Sequence, residues 1–424
     1  MKKLCVVDLN FTWPPDGGAP VELNWILREF AKRFDTTLVL PQLERISRTV
    51  GQPWPLHRTK FFVRGRAEFS SPPPYKLHSI PLSLGEYTPT GLAAKVREHV
   101  HALSPDYVLI ADGWYFKPSV VLALKEWSPV LRLFSHEMLC IKGNGILERH
   151  GRVCEIDYLK ADGSNVSTCV RCALGFYARY PSPRWLFEFF RTGAFTKRYQ
   201  RLCSQAFEST RAVQVGNGFI QRRLQPFVRV PVKAVPNAVD LERFVPAKAA
   251  GSSPRPFQIL LAGRMDIASK GFRVAMEAFE ACWRKRQDFR VRFVSNRPAP
   301  RLPFLTSAPW LPYERVGELY RNVDLLVVPS WGPDVFPNVV LEAMASGIPT
   351  IGSRVGGIQE QIADGRSGFL VEPKNPGQLS ERILWAIDHP EETARMGGGA
   401  RNRAERLFSI PDVFNKHYEP LFPS

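Results

Sequence analysis

Acidic residues are the scarce class in this chain of 424: 40 Asp and Glu stand against 57 Lys and Arg, for a formal net charge of +17. Such an imbalance calls for an acidic partner, drawn from nucleic acid, anionic membrane and phosphorylated small molecules. No helix-turn-helix, RNA-binding or zinc-finger pattern of the nucleic-acid kinds is present, so no nucleic-acid partner is expected. Long hydrophobic runs are missing too, since no stretch approaches the roughly 18 apolar residues of a membrane span. The opening MKKLCVVDLNF has a basic onset, but Asp8 and Asn10 break its apolar run, so it reads as a first buried strand and not as a signal peptide. The expected location is therefore cytoplasmic, where the seven Cys are thiols or metal ligands before they are disulfides. There is no Asp-x-Asp to argue for a catalytic divalent metal.

What is present is a globular composition, 44% hydrophobic and 23% charged, on a length that fits two domains of about 200 residues each. Residues 3–8 predict a strand, followed by Gly17 and Gly18 in a loop and a helix over 20–34 with Leu23, Ile26, Leu27 and Phe30 on one face. Paired glycines at that point let backbone amides approach a phosphate or a sugar. Residues 41–90, rich in Pro, Ser and basic side chains, predict loops with short strands. Residues 107–111 and 130–134 predict buried strands, and the second runs out into Ser135, His136 and Glu137. That places His136 where parallel sheets present ligand-binding side chains.

Cys140, Cys154, Cys169 and Cys172 occupy a loop-rich stretch that ends in Cys-x-x-Cys. Two main readings stand, a structural zinc on four thiolates and unlinked thiols, with a redox pair as a third. Cys5, Cys203 and Cys282 fall in regular elements as small core residues. Residues 176–201, FYARYPSPRWLFEFFRTGAFTKRYQR, interleave aromatics with Arg and Lys around one acid, Glu188. This segment fits an anionic membrane interface, and it equally fits a helix packed on the first domain with its cations in water.

FQILLAGRMDIASKGF, at 257–272, predicts a strand, a loop and a helix, with Arg264 and Lys270 bracketing the loop. A planar guanidinium and a mobile ammonium suit a pyrophosphate at a strand's carboxyl end. The stretch 324–361, DLLVVPSWGPDVFPNVVLEAMASGIPTIGSRVGGIQEQ, predicts a strand, a Pro/Gly-rich loop, a helix opening near Pro337 and Asn338, a second strand and a Gly-rich turn. Asp334 falls in the loop, and Glu342 a turn or so inside the helix, toward its positive end.

This last stretch resembles the signature of the GT-B-fold retaining glycosyltransferases of family 4, glycosyl transferases group 1: E-G-F-G/P-x-x-x-x-E-A-M-A-x-G-x-P-V-I-x-x-x-x-G-G. Phe336, Pro337, Glu342 through Ala345, Gly347, Pro349, Gly356 and Gly357 match. Asp334 replaces the usual first Glu, Val335 the usual Gly, and five residues instead of four separate Arg264 from Lys270. The resemblance implies an α/β chain of two Rossmann-like, doubly wound domains facing a cleft. It sets an acceptor-side domain at 1–225, a linker at 226–240 carrying P-N-x-V-D-x-x-x-F, a nucleotide-sugar domain at 241–408 and a segment at 409–424 that crosses back.

The resemblance further implies transfer of a sugar, with retention, from a nucleoside-diphosphate sugar to a hydroxyl acceptor. Arg264 and Lys270 would hold the diphosphate, Glu342 the ribose, and Asp334 with Phe336, Pro337 and Asn338 the sugar side of the donor. His136 would lie near the donor sugar and Gly17 and Gly18 would face the cleft. Residues 293–312 would lie beside the base. No catalytic divalent metal is expected. Charge and aromatic content point to a polysaccharide or lipid-linked acceptor and to peripheral contact with the inner face of a membrane. The rival readings are a catalytically impaired nucleotide-sugar-binding partner, motivated by Asp334, and a GT-B nucleotide-sugar epimerase.

Overall fold

The computed structural model describes residues 1–11, 17–43, 73–142, 147–246, 255–295, 297–309, 311 and 313–423. The chain divides into two compact units: Met1–Leu147 with Glu155–Val235 and His417–Ser424, and Glu148–Cys154 with Pro236–Lys416.

The first unit is built on seven strands, β1 (Lys3–Val7), β2 (Asp35–Leu43), β3 (Lys76–Leu82), β4 (Tyr107–Ile110), β5 (Val130–Leu133), β8 (Ala212–Val215) and β9 (Val232–Ala234), with a hairpin β6 (Glu148–Arg149) and β7 (Arg152–Val153) between β5 and β8 in sequence. The seven run parallel in the order β3-β2-β1-β4-β5-β8-β9. Parallel neighbours need crossovers, and apart from the one between β2 and β3, which lies mostly outside the described residues, these are helical: α1 (Gly18–Ala31), α2 (Pro89–Leu103), α3 (Lys117–Ala123), α4 (Val166–Arg179), α5 (Pro183–Arg191), α6 (Lys197–Glu208) and α7 (Gly218–Leu224). The α1 residues expected to face inward, Leu23, Ile26, Leu27 and Phe30, are all buried. In the stretch 41–90, expected as loops with short strands, β2 ends and β3 runs its whole length; residues 44–72 of it lie outside the described residues. β9 pairs with β8 inside the stretch expected as linker, so the first sheet extends one strand further than the letters showed.

In the second unit β10 (Phe257–Ala262), β11 (Phe289–Val294), β12 (Leu305–Ser307), β13 (Leu325–Val328), β14 (Thr350–Ser353) and β15 (Gly368–Val371) form a parallel sheet in the order β12-β11-β10-β13-β14-β15. Its helices are α8 (Phe272–Trp283), α9 (Asn338–Ala345), α10 (Ile358–Gln361), α11 (Pro376–Asp388), α12 (Pro390–Leu407) and α13 (Ile410–Val413). Alternation along each strand splits the core into two layers. Leu260, Leu326 and Val328 pack with α9 and α12 on one face, while Ile259, Leu261 and Val327 pack with α8 and α11 on the other. Both sheets reverse their strand order once, at β1/β4 and at β10/β13, and a doubly wound sheet binds ligands beyond the strand ends at that reversal.

Candidate active site

Arg264 follows β10 and Asp334 lies six residues beyond β13, so the two flank the reversal point of the second sheet. Lys270 joins them: its ammonium lies 2.5 Å from Asp334 Oδ1, a half-buried ion pair. The backbone makes this meeting possible, because the amides of Trp331 (2.8 Å) and Gly332 (3.2 Å) both donate to Ser269 O and lash the two loops together. Arg264 stays exposed, its guanidinium held 3.0 Å from Asp266 Oδ2. Ser330, 1% exposed, carries a hydroxyl with no hydrogen-bond partner among the described residues.

The Asp334 loop closes on the Gly356–Gly357 turn. Gly357 donates its amide to Asp334 O at 2.8 Å. A Cβ on Gly356 would stand 2.1 Å from Asp334 O, and one on Gly357 would stand 2.0 Å from Val335 O. Only glycine permits that approach, and Gly356 also takes a φ of +48°. The start of α9 is pinned from two further elements. Asn237, from the P-N-x-V-D motif, donates to Phe336 O at 3.0 Å and to Asn338 Oδ1 at 2.8 Å, while Gln361 of α10 donates to Pro337 O at 3.0 Å. The first-turn amides of α9 are thereby fixed at the strand ends, with no acid in that turn to compete for them.

Glu342, one turn in, accepts a 2.5 Å hydrogen bond from the buried Tyr320 hydroxyl. Burial raises its carboxyl to about 7, against the opposing pull of that hydrogen bond and of the nearby Arg243. Arg243 in turn stacks 4.2 Å from the centre of the Tyr313 ring. In the region expected beside a base, Trp310 and Pro312 lie outside the described residues.

The strand ends of the first unit carry buried charge that the sequence reading missed. Asp8, just past β1, accepts the amides of Phe11 (2.5 Å) and Asn10 (2.7 Å) on Oδ1 and of Asp112, just past β4, on Oδ2 (2.9 Å). Burial and then the Asp112 charge raise it to about 7, while those amides favour the ionised form. Lys117 Nζ lies 2.8 Å from Glu137 Oε1 and 2.7 Å from Arg132 O, and Phe134 N donates to the same carboxylate oxygen at 3.2 Å. The Lys117–Glu137 pair thus fixes the turn in which His136, 1% exposed, is set. Asp8 stands at the end of an apolar run and Lys117 within WYFKPSVV, and no local letter marks either charge as buried. Gly17 caps α1 with a φ of +100°, and Gly18 is its first residue.

Cys140, Cys154, Cys169 and Cys172 are all partly buried. Among the described residues no three His, Cys, Asp or Glu side chains are grouped to hold a metal ion. Cys169 and Cys172 lie a turn apart in the regular helix α4, and Cys154 follows the β6–β7 hairpin in a segment that belongs to the second unit. Cys5, Cys203 and Cys282 are buried, and burial lifts all three thiols above the ordinary range, Cys5 and Cys282 to about 12.

Comparison with known proteins agrees with this geometry. Residues 256–389, which contain Arg264, Lys270, Asp334 and Glu342, match the family model described as Glycosyl transferases group 1. D-inositol 3-phosphate glycosyltransferase 2 of Catenulispora acidiphila is 35% identical over 113 residues, 25% of this chain and 26% of that protein. The match thus spans about a quarter of that relative's length. Among solved structures, sucrose-phosphate synthase from Thermosynechococcus elongatus aligns with a TM-score of 0.63 at 16% identity, over 100% of this chain and 99% of that one. HepE of Anabaena in complex with UDP also gives 0.63 at 16% identity, over 99% of each chain, and a further structure of HepE holds UDP-glucose. At such identities the structures speak for the fold, and the family model for the strand-end residues. The chain has the GT-B fold, and its residues 256–389 are similar to the group 1 glycosyl transferases.

Proposed function

We propose that this protein is a retaining glycosyltransferase that moves a sugar from a nucleoside-diphosphate sugar to a hydroxyl of a polysaccharide or lipid-linked acceptor. The observation that carries the reading is the union of Lys270, Asp334 and the fixed N-terminus of α9 at the reversal point of the second sheet, with Arg264 beside them. Breaking the bond between the anomeric carbon and the phosphate oxygen builds negative charge on the departing nucleotide. Two cations and a set of preorganised amides lower that barrier by several kcal/mol or so. Arg264, exposed, takes the diphosphate, and Lys270 divides its charge between diphosphate and Asp334. Glu342 accepts the ribose hydroxyls, and Asp334 with the Phe336–Pro337–Asn338 backbone takes the sugar. His136 is assigned to the transferred sugar and Gly17 and Gly18 to backbone contact with the donor. No divalent metal has a part in this scheme.

Asp334 is a methylene shorter than the Glu of the family signature. Its pairing with Lys270 supports a working site over a disabled one, because the carboxylate is held and oriented where a sugar hydroxyl would arrive. UDP-glucose is the first donor to try, since HepE binds UDP and UDP-glucose. The test is release of nucleoside diphosphate from a panel of UDP-, GDP- and ADP-sugars with hydroxyl acceptors. Turnover with one donor family, reduced by roughly 10- to 100-fold in Lys270→Ala, is expected. Tight nucleotide-sugar binding with no hydrolysis or transfer across the panel would move the reading to the impaired binding partner.

A further inference from the structure

Of the ten exposed large hydrophobic side chains among the described residues, five lie between positions 174 and 195: Leu174, Tyr180, Phe187, Phe190 and Phe195. Phe190 is 55% exposed and Phe195 42%. They are not loose. Their rings lie 5.8 Å apart, and both lean on Phe189 (5.5 and 6.0 Å), which is fully buried against Tyr115 and Tyr177. The result is a rigid aromatic pad that projects from a packed base.

Helix α5, PRWLFEFFR, turns the usual surface pattern inside out. Its one acid, Glu188, is fully buried and accepts from Tyr87 OH at 2.8 Å and Arg184 Nε at 3.0 Å, while Phe190 and Arg191 face water. Residues 171–201 hold seven Arg and Lys against that single acid. Arg171, Arg179, Arg191, Lys197, Arg198 and Arg201 are exposed. With the carboxylate turned inward, residues 171–201 present aromatics and positive charge to water and no exposed acid.

We infer that this corner of the first unit, from α4 through α5 to the start of α6, is a docking surface for an anionic lipid membrane. Phe190 and Phe195 enter the boundary between headgroups and acyl chains, and the surrounding cations engage the headgroups. Charge complementarity selects this occupant, since a neutral apolar partner would leave the cations without counter-charges. No described helix is long and apolar enough to cross a membrane, so the contact is made from the surface. The inference rests on this surface alone and stands apart from the nucleotide site.

The experiment is co-sedimentation of the full chain with vesicles of phosphatidylcholine and phosphatidylglycerol, against phosphatidylcholine alone. Binding should require the anionic lipid and weaken as salt rises. Phe190→Ser/Phe195→Ser should lower partitioning by roughly ten-fold, and Arg191→Glu/Arg198→Glu by at least roughly five-fold for each cation removed. Arg191 Nε also donates to Tyr87 O at 3.3 Å, so Arg198→Glu alone, at an exposed side chain, decides the matter if either double variant fails to fold. Wild-type protein left in the supernatant at low salt, or charge variants that bind like wild type, would overturn the inference. So would concentration-dependent dimerisation in light scattering, without lipid, that the aromatic variant abolishes, because the pad would then belong to a second copy of the chain.

Discussion

Tyr320 and Glu342 make the sharpest statement at the scale of single residues. The Glu342 carboxyl is raised to about 7 from an unfolded value near 4.5, so folding favours its protonated form. Stability from this group is complete below the unfolded value and is lost as pH rises through 7. Ligand binding has the opposite sign under the proposed function, because ribose hydroxyls donate to the carboxylate. Nucleoside diphosphate affinity should therefore climb between pH 6 and 8 more steeply in the wild type than in Glu342→Gln, where the nucleotide's own ionisation is the remaining cause. Tyr320→Phe removes a donor that favours the carboxylate and should shift the Glu342 part of that profile to higher pH. Isothermal titration of the three proteins across this range is the check, and superimposable profiles would remove Glu342 from the ribose site. The carboxylate and its place on a helix were legible in the sequence, but Tyr320, 22 residues earlier, was not, since nothing local marks a partner brought by the fold.

Among the elements, α12 offers a test of packing. Its Gly397, Gly398 and Gly399 are costly to a helix by propensity, and the structure gives a reason for two of them. A Cβ at Gly397 would stand 2.1 Å from Gly347 O and one at Gly399 would stand 2.4 Å from Arg366 O, whereas one at Gly398 meets nothing within 4 Å. Gly398→Ala should stabilise the protein by roughly 0.5–1 kcal/mol. Gly397→Ala should destabilise it by about 1–3 kcal/mol, as overpacking does. Denaturant melts of the two variants, read against wild type, give both signs at once. The elements themselves were largely readable where strands are continuous apolar runs: residues 325–328 and 257–262 announced β13 and β10. They were obscured where context overrides composition. Proline at position 81 hid β3 at the sheet's edge, Pro41 obscured the end of β2 beside it, and β9, three residues long, carries too little pattern to see.

Taken over the whole molecule, the repeated architecture explains why the motifs sit so far apart in sequence. Arg264 and Asp334 are separated by 70 positions yet follow adjacent strands, because the order β12-β11-β10-β13-β14-β15 reverses between them. A resemblance resting on letters could assign each residue a partner in a ligand, but the contact between Lys270 and Asp334 needed the sheet. The central claim is that these strand ends bind a nucleoside diphosphate. Thermal stability of the purified protein, alone and with UDP, GDP or ADP, measured in parallel for Arg264→Ala and Glu342→Ala, addresses it most directly. A ligand at about 100 times its dissociation constant adds about 2.7 kcal/mol to stability. The account predicts a rise in melting temperature with one base, diminished in both variants. No rise with any nucleotide, or an equal rise in wild type and both variants, would contradict it.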